Sequence, residues 1–366
     1  MGTKKIKRIA VMTGGGDCPG LNAVIRAVTK TAITKYKLEV IGIEDGYLGI
    51  IEDRKHVLNY TDVSNILTVG GTILGSCNRA NPSRYPVETS SGRIMYRDIS
   101  GKCVKRLADW GIDALVCIGG DGTMASAAKF AKLGVTVMGV PKTIDNDLPV
   151  TDFTFGFDTA VTTATEAIDK VHTTAGSHHR VMIVEIMGRY AGWLTLYSGV
   201  ASGSDIILIP EIPYDLEKVR EAVLKRSRKG KRYSIIAVAE GAKPKGGKMV
   251  IAKKIATSPD PIRLGGIANM LAELLPNGND LSCRSVVLGH VQRGGTPTPH
   301  DRNLATLYGH TAIELLMKGT KNNLVVFKDG KLSSVPLARI AGKIKTVPKN
   351  HPLIRAAKAV GTSFGV

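Results

Sequence analysis

The feature that most constrains the fold is an alternation. Short apolar runs recur along the chain between stretches of helical periodicity, and nearly every run ends in Gly, Asp, Pro or Glu. The pattern predicts strands at Arg8–Met12, Val40–Ile43, Ala114–Ile118, Thr136–Val140, Val181–Glu185, Ile206–Ile209, Ser234–Ala239 and Ser285–Leu288. Apolar strands alternating with helices imply βα units and parallel sheets. Ligands of open parallel sheets bind beyond the carboxyl ends of the strands, where such loops converge. At 366 residues the chain exceeds the usual size of one core, so two domains are expected, with one large α/β domain as the alternative.

Other properties narrow the class. A hydrophobic content of 43% with 5% aromatics fits a soluble α/β protein and excludes a disordered or fibrous one. The opening "MGTKKIKRIAVM" has a short apolar run that passes into a glycine-rich turn, which fits neither a signal peptide nor a membrane span; a cytoplasmic protein without membrane partners is expected. Cys18, Cys77, Cys103, Cys117 and Cys283 are odd in number and lack metal-ligand spacing, which reads as free thiols in a reducing compartment. The net charge is +19, densest in "LKRSRKGKR" from Leu224 to Arg232. With no aromatic partner before Tyr233, that run reads as a solvated helix end or an anion site rather than a nucleic-acid surface.

Several loops share a strand-then-glycine character. After "TGGGDCPG" (13–20), Leu21, Val24, Ile25 and Val28 recur at helical spacing, so the glycines open onto a helix N-terminus that favours an anion. In "GGDGT" (119–123), Asp121 stands between glycines; it suits a Mg²⁺ held between the carboxylate and phosphates, or a cap on the following helix. "PKTIDND" (141–147) sets Asp145 and Asp147 at alternate positions of what reads as an extended loop, pointing the same way. Phosphoryl transfer to an alcohol needs a carboxylate to accept the hydroxyl proton, and either aspartate could serve. A plain turn cluster gives the same residues. Arg79, Arg84, Arg180, Arg189, Arg284, His290 and Arg293 offer cations for a phosphorylated substrate, with His290 and Arg293 the best placed, after an apolar strand and before "GGTP".

In order, "TGGGDCPGLNAVIR", "GYLGIIEDR", "GGDGT", "PKTIDND", "MGRYAGWLT" and "VLGHVQRGGTP" closely resemble the 6-phosphofructokinase family from about Lys5 to about Val347. The resemblance implies two Rossmann-like domains with mostly parallel sheets, the phosphofructokinase fold. The larger, donor-binding domain would comprise 1–156 plus 292–341, and the smaller, sugar-phosphate domain 157–291 plus 342–366. It implies transfer of a phosphoryl group to the 1-hydroxyl of fructose 6-phosphate, with Asp145 as general base and Thr143 and Asp147 beside the reacting groups. Asp121 would serve Mg²⁺, and Gly16 would offer its backbone N–H to the transferred group. Arg79 and Arg189 would steady transition-state charge. Gly15, Gly120, Gly122, Thr123 and Lys142 match donor-phosphate positions. Met187, Gly188, Glu240, His290 and Arg293 match sugar-phosphate positions, together with Arg180 and Arg284, which in relatives reach across from a neighbouring subunit. A homo-oligomer, a tetramer in the family, is therefore implied.

The donor is read from two residues. Gly122 matches the ATP pattern, whereas pyrophosphate enzymes tend to carry Asp there; Lys142 looks like the pyrophosphate pattern. The mixed pair resembles the longer ATP-using forms, which makes ATP the expected donor and pyrophosphate the alternative. In allosteric bacterial relatives an anionic effector binds between subunits. Arg26, Lys30, Arg54, Lys229 and Lys231 fall at such positions here, while His172 replaces an arginine and Asp205 a glutamate. The competing readings are an NAD or lipid kinase sharing "GGDGT", a non-catalytic sugar-phosphate sensor and a nucleic-acid protein. The first should lack "PKTIDND" with "GHVQRGG", and intact Asp121, Thr143, Asp145 and Arg189 speak against the second.

Overall fold

The computed structural model describes residues 5–90, 92–255, 261–340 and 343–366; the boundary expected at 341/342 lies outside the described residues. The strands are β1 (Arg8–Thr13), β2 (Glu39–Ile43), β3 (Lys55–Val57), β4 (Tyr85–Glu88), β5 (Ile94–Arg97), β6 (Ala114–Gly119), β7 (Val137–Pro141), β8 (Val181–Ile186), β9 (Ile206–Leu208), β10 (Ser234–Ala239), β11 (Ile251–Lys254), β12 (Ile262–Leu264), β13 (Cys283–Val287), β14 (Asn323–Lys328) and β15 (Lys331–Pro336). The α-helices are α1 (Leu21–Tyr36), α2 (Tyr47–Glu52), α3 (Ser100–Asp109), α4 (Asp121–Lys132), α5 (Phe157–His178), α6 (Trp193–Ala201), α7 (Leu216–Arg228), α8 (Ile267–Leu274), α9 (Pro299–Met317) and α10 (Pro352–Ala359).

Every strand expected from the apolar runs forms, within a residue or two at its ends. They distribute over two sheets. One is seven-stranded in the order β15-β14-β7-β6-β1-β2-β3, and the other four-stranded in the order β13-β8-β10-β9. The small sheet is parallel throughout. The large one is parallel from β14 to β2 and closed on each edge by an antiparallel strand, β15 or β3. Two small hairpins, β4–β5 and β11–β12, stand apart.

Strand side chains alternate between faces, and the burial follows that alternation. On β1, Ile9 and Val11 face a core that also takes Met182, Val184 and Ile186 of β8, through α1, α5, α6 and α9. Ala10 and Met12 face the opposite way, onto α2, α3 and α4. Val181 and Ile183 face outward onto α7 and α8. The result is a layered α/β body in which one apolar core joins the inner faces of both sheets.

The helix that carries the first glycine loop is held from behind by α9. At their crossing a Cβ on Gly309 would stand 2.8 Å from the Val24 carbonyl oxygen and 2.8 Å from Ala27 Cβ. Alanine is the better helix former by about 1 kcal/mol, but here it must push two helices apart. Gly309→Ala is therefore expected to cost a net of about 1–2 kcal/mol, read as a lower midpoint in chemical denaturation.

Candidate active site

Three adjacent parallel strands deliver the glycine loops to one edge of the large sheet. β1, β6 and β7 end at Thr13, Gly119 and Pro141, so Gly14–Gly16, Gly120–Thr123 and Lys142–Asp147 follow side by side. The chain runs to β2 on one side of β1 and returns to β6 on the other, a switch point where loops part and leave a crevice. Gly14 N–H donates to the Ile118 carbonyl at 2.9 Å and Lys142 N–H to the Gly119 carbonyl at 3.0 Å, stitching the loops together. Asp121 is the first residue of α4, the cap position being Gly120, and its side is exposed to the crevice mouth.

The Thr143–Asp147 segment is bent rather than extended, which corrects the basis on which Asp145 and Asp147 were paired. Asn146 sits in the left-handed region at φ 50°. Its side chain supports the bend by donating to the Asp152 carbonyl at 3.1 Å and accepting from Thr154 N–H at 3.1 Å. Asp145 is buried, and its amide donates to Thr143 Oγ1 at 3.0 Å. Its Oδ1 is sealed from solvent and has no hydrogen-bond partner among the described residues. Burial pushes the Asp145 carboxyl above its ordinary value, against the pull of Arg293, Arg189 and Lys142. Burial, and then the negative charges of Asp145 and Asp121, push Asp147 up to about 7. A buried acceptor without a donor, near three cations, makes Asp145 a candidate for chemistry within what is locally a turn.

The cations arrive from both sheets. Lys142 is buried, its Nζ donates to the Gly16 carbonyl, and burial lowers its pKa. Met187, Gly188 and Arg189 follow β8, Glu240 follows β10, and His290 and Arg293 lie in the 3₁₀ turn Gly289–Arg293 after β13. These are the carboxyl ends of the small sheet. Arg189 N–H donates to Glu240 Oε1 at 2.9 Å, and burial pushes that carboxyl up to about 7. Arg293 Nη1 donates to the Asp17 carbonyl at 3.1 Å and lies where a Cβ on Gly16 would be, 2.7 Å away. A side chain at Gly16 would therefore displace the guanidinium of Arg293.

Arg180 and Arg284 are not brought to this place. Arg180 immediately precedes β8 and Arg284 is the second residue of β13, so both lie at the amino ends of strands whose carboxyl ends hold the site. The length of β8 puts roughly 20 Å between Arg180 and Met187. Of the basic residues considered for an effector, Arg54 and Lys30 have partners within the chain. Arg54 meets Asp45 at 2.7 Å, Glu52 at 2.9 Å and Glu44 at 3.5 Å. Lys30 lies 3.8 Å from the Tyr60 ring centroid; Arg26 is half-buried, and Lys229 and Lys231 are exposed past α7. Asp205 pairs with Arg226 at 2.8 Å.

A cavity of about 770 Å³ opens beside the glycine loop. Gly15, Gly16, Asp17 and Arg79 line it, together with the apolar Leu48, Ala80, Tyr85 and Pro86. Sequence reasoning missed Thr72, Ser76 and Asp45, which come from irregular segments without a motif, and Tyr85, which opens β4; Ser76 Oγ donates to the Gly15 carbonyl at 2.5 Å. A Cβ on Gly122 would meet nothing within 4 Å, so the loop leaves open space there. Among the described residues no cluster of three His, Cys, Asp or Glu side chains could cage a metal. A Mg²⁺ carried by one carboxylate, waters and substrate phosphates needs no such cage, and Asp121 beside the crevice suits it. The cysteines are free thiols, and burial pushes Cys18 and Cys117 up to about 12, leaving them inert. No helix among the described residues is long and apolar enough to cross a membrane.

Comparison with known proteins agrees with this geometry. The profile of the Phosphofructokinase family matches residues 8–316. The chain is 53% identical over 362 residues to "ATP-dependent 6-phosphofructokinase 2" of Clostridium perfringens, covering 98% of each chain. It is 47% identical over 343 residues to "Pyrophosphate--fructose 6-phosphate 1-phosphotransferase" of Amycolatopsis mediterranei, covering 93% of this chain and 96% of that one. Among solved structures, phosphofructokinase from Saccharomyces cerevisiae superposes with a TM-score of 0.75 at 31% identity over 97% of this chain, which spans 46% of the yeast chain. With its strand order, its glycine crevice and its buried carboxylates accounted for, the chain belongs to the phosphofructokinase family.

Proposed function

We propose that the protein transfers the terminal phosphoryl group of ATP to the 1-hydroxyl of fructose 6-phosphate, giving fructose 1,6-bisphosphate and ADP. The observation that carries this reading is the unpartnered, buried Asp145 Oδ1, set among Lys142, Arg189 and Arg293 at the crevice between the two sheets. Asp145 accepts the proton of the attacking hydroxyl, with Thr143 and Asp147 beside it. Lys142 and the Gly14–Gly16 loop hold the phosphoryl group in line, and Arg189, Arg293 and Arg79 balance charge as the bridging oxygen leaves. Asp121 would hold Mg²⁺ with the donor phosphates; when bound, the ion neutralises phosphate charge. Met187, Gly188, Glu240 and His290 shape the sugar side.

The donor follows from space. A cavity of about 770 Å³ with Leu48, Ala80, Tyr85 and Pro86 in its lining suits a nucleoside, and the open space at Gly122 leaves its phosphates a path. The buried Lys142 against Gly16 is the one observation that favours pyrophosphate, since a short donor could use it fully. The strands of the seven-stranded sheet all fall in 1–156 and 292–341 and those of the four-stranded sheet in 157–291, which supports the donor-binding and sugar-phosphate domains expected from sequence. Because Arg180 and Arg284 lie at the far ends of their strands, they serve the site of a neighbouring copy, in a homo-oligomer that the family pattern makes a tetramer. A cytoplasmic setting and an anionic effector held by Arg26, Lys30, Arg54, Lys229 and Lys231 complete the reading.

Assay of fructose 6-phosphate phosphorylation with ATP and pyrophosphate side by side is expected to give turnover with ATP alone; turnover only with pyrophosphate refutes the donor assignment. Asp145→Ser is expected to lower kcat by about 10³-fold or more with little change in the sugar KM, because proton acceptance matters in the transition state. An unchanged rate removes Asp145 from the role. Asp147 has an ordinary value of 3.8 and a folded value of about 7. Between the two, the folded chain keeps a proton that the unfolded chain has released, so stability falls as pH rises through that window. Asp147→Asn is accordingly expected to raise stability at pH 8 by about 1–3 kcal/mol, with a smaller gain at pH 5, while turnover drops; thermal unfolding at both pH values checks the sign. For the effector, titration with ADP and phosphoenolpyruvate should change the sugar dependence of the rate, and no response to either excludes the site.

A further inference from the structure

The loop after Asp145 is under backbone strain. Asn146 and Val150 both occupy the left-handed region, at φ 50° and 67°. For a β-branched valine this conformation costs on the order of 1–3 kcal/mol and persists only where surroundings enforce it. Both ends of the segment that contains Val150 are held by one residue remote in sequence. Lys345 N–H donates to the Asp147 carbonyl at 2.7 Å. Its Nζ donates to the Thr151 carbonyl at 2.8 Å and to the Asp152 carbonyl at 3.0 Å.

The same residue grips the other sheet. The Lys345 carbonyl accepts from Trp193 Nε1 at 2.8 Å, and its ammonium lies 5.3 Å from the Trp193 ring centroid. Trp193 opens α6, directly after the Met187–Arg189 loop. Two residues on, Val347 N–H donates to Glu211 Oε1 at 2.8 Å, and Glu211 also accepts from Gly192 N–H at 2.9 Å. A buried ammonium loses hydration that two carbonyls and an indole face must replace. Burial pulls its pKa down to about 8, with Asp152 and Asp147 opposing, so it remains charged at neutral pH.

We propose that Lys345 is a positioning residue for the phosphoryl transfer: it clamps the strained 147–152 turn at both ends and ties it to α6, fixing Asp145 relative to Arg189. It touches neither substrate nor reacting atoms. Its effect therefore falls on the alignment of groups that meet only in the transition state, and a displacement of about 1 Å there costs on the order of 10²-fold in rate. The inference rests on the reading of Asp145 as the base.

The test compares Lys345→Met, which keeps the stem and the backbone bonds and removes the Nζ donors to Thr151 and Asp152, with Lys345→Arg, which keeps charge and side-chain donors. Two measurements are made on the full chain: steady-state kinetics with fructose 6-phosphate and ATP, and amide hydrogen exchange across residues 145–153. Lys345→Met is expected to lower kcat on the order of 10–100-fold with the sugar KM changed less than about threefold, and to speed exchange in that segment while the β1 and β6 amides stay protected. Lys345→Arg is expected to recover most of the rate. Should Lys345→Met not fold, Lys345→Gln is read by the same two measurements. The clamp is overturned if kcat stays within about twofold of wild type, or if the rate falls without faster exchange in 145–153. Wild-type protein without turnover refutes the catalytic reading, and the exchange result then still decides whether Lys345 holds the turn.

Discussion

The chemistry depends on a shared apolar core. Ile9 and Val11 of one sheet and Val184 and Ile186 of the other face the same helices, so the two sheets are fixed with their carboxyl edges toward a common crevice. Within each sheet a parallel arrangement sends every strand's carboxyl end the same way, and the loops that follow gather without further instruction. The glycine loops and Asp145 come from the ends of β1, β6 and β7, and Arg189, Glu240 and Arg293 from beyond the ends of β8, β10 and β13. Neither sheet holds enough of the residues to carry the reaction.

Burying that many ionisable groups is expensive, and the cost is visible in where the protons sit. Asp145, Asp147 and Glu240 are all raised by desolvation, and Lys142 is lowered by it. A chain selected for stability alone would fill this crevice with aliphatic side chains. What the arrangement achieves is readiness: the acceptor oxygen of Asp145 is already dry, and the cations opposing its burial are the ones that a phosphoryl group needs.

Much of this was legible in the linear chain, and the failures have physical causes. Apolar runs ending in Gly, Asp or Pro located the parallel strands, because a strand buried on both faces must be apolar and a loop over a ligand must not be. The β14–β15 hairpin was passed over although Asp329–Gly330, at φ 50° and 75°, is a two-residue turn of the type that "DG" favours. β15 is an edge strand of mixed polarity, so its pattern is faint, whereas the apolar run of β14 was legible and overlooked. The bend at Asn146 was invisible because its support comes from Asp152 and Thr154 through side-chain bonds. Arg180 and Arg284 stand at the amino ends of their strands, away from this chain's own crevice, as residues expected to reach a neighbouring subunit would. Lys345 belongs to no motif at all; its role arises from carbonyls roughly two hundred positions earlier.

The contact between Gly16 and Arg293 has an evolutionary corollary. A side chain at Gly16, in the loop after β1, would displace the guanidinium of Arg293, which comes from the turn after β13. A substitution that reshapes the loop at Gly16 would therefore shift an arginine carried by the other sheet. If the two loops serve different substrates, as proposed, a change of preference for one is felt by the other.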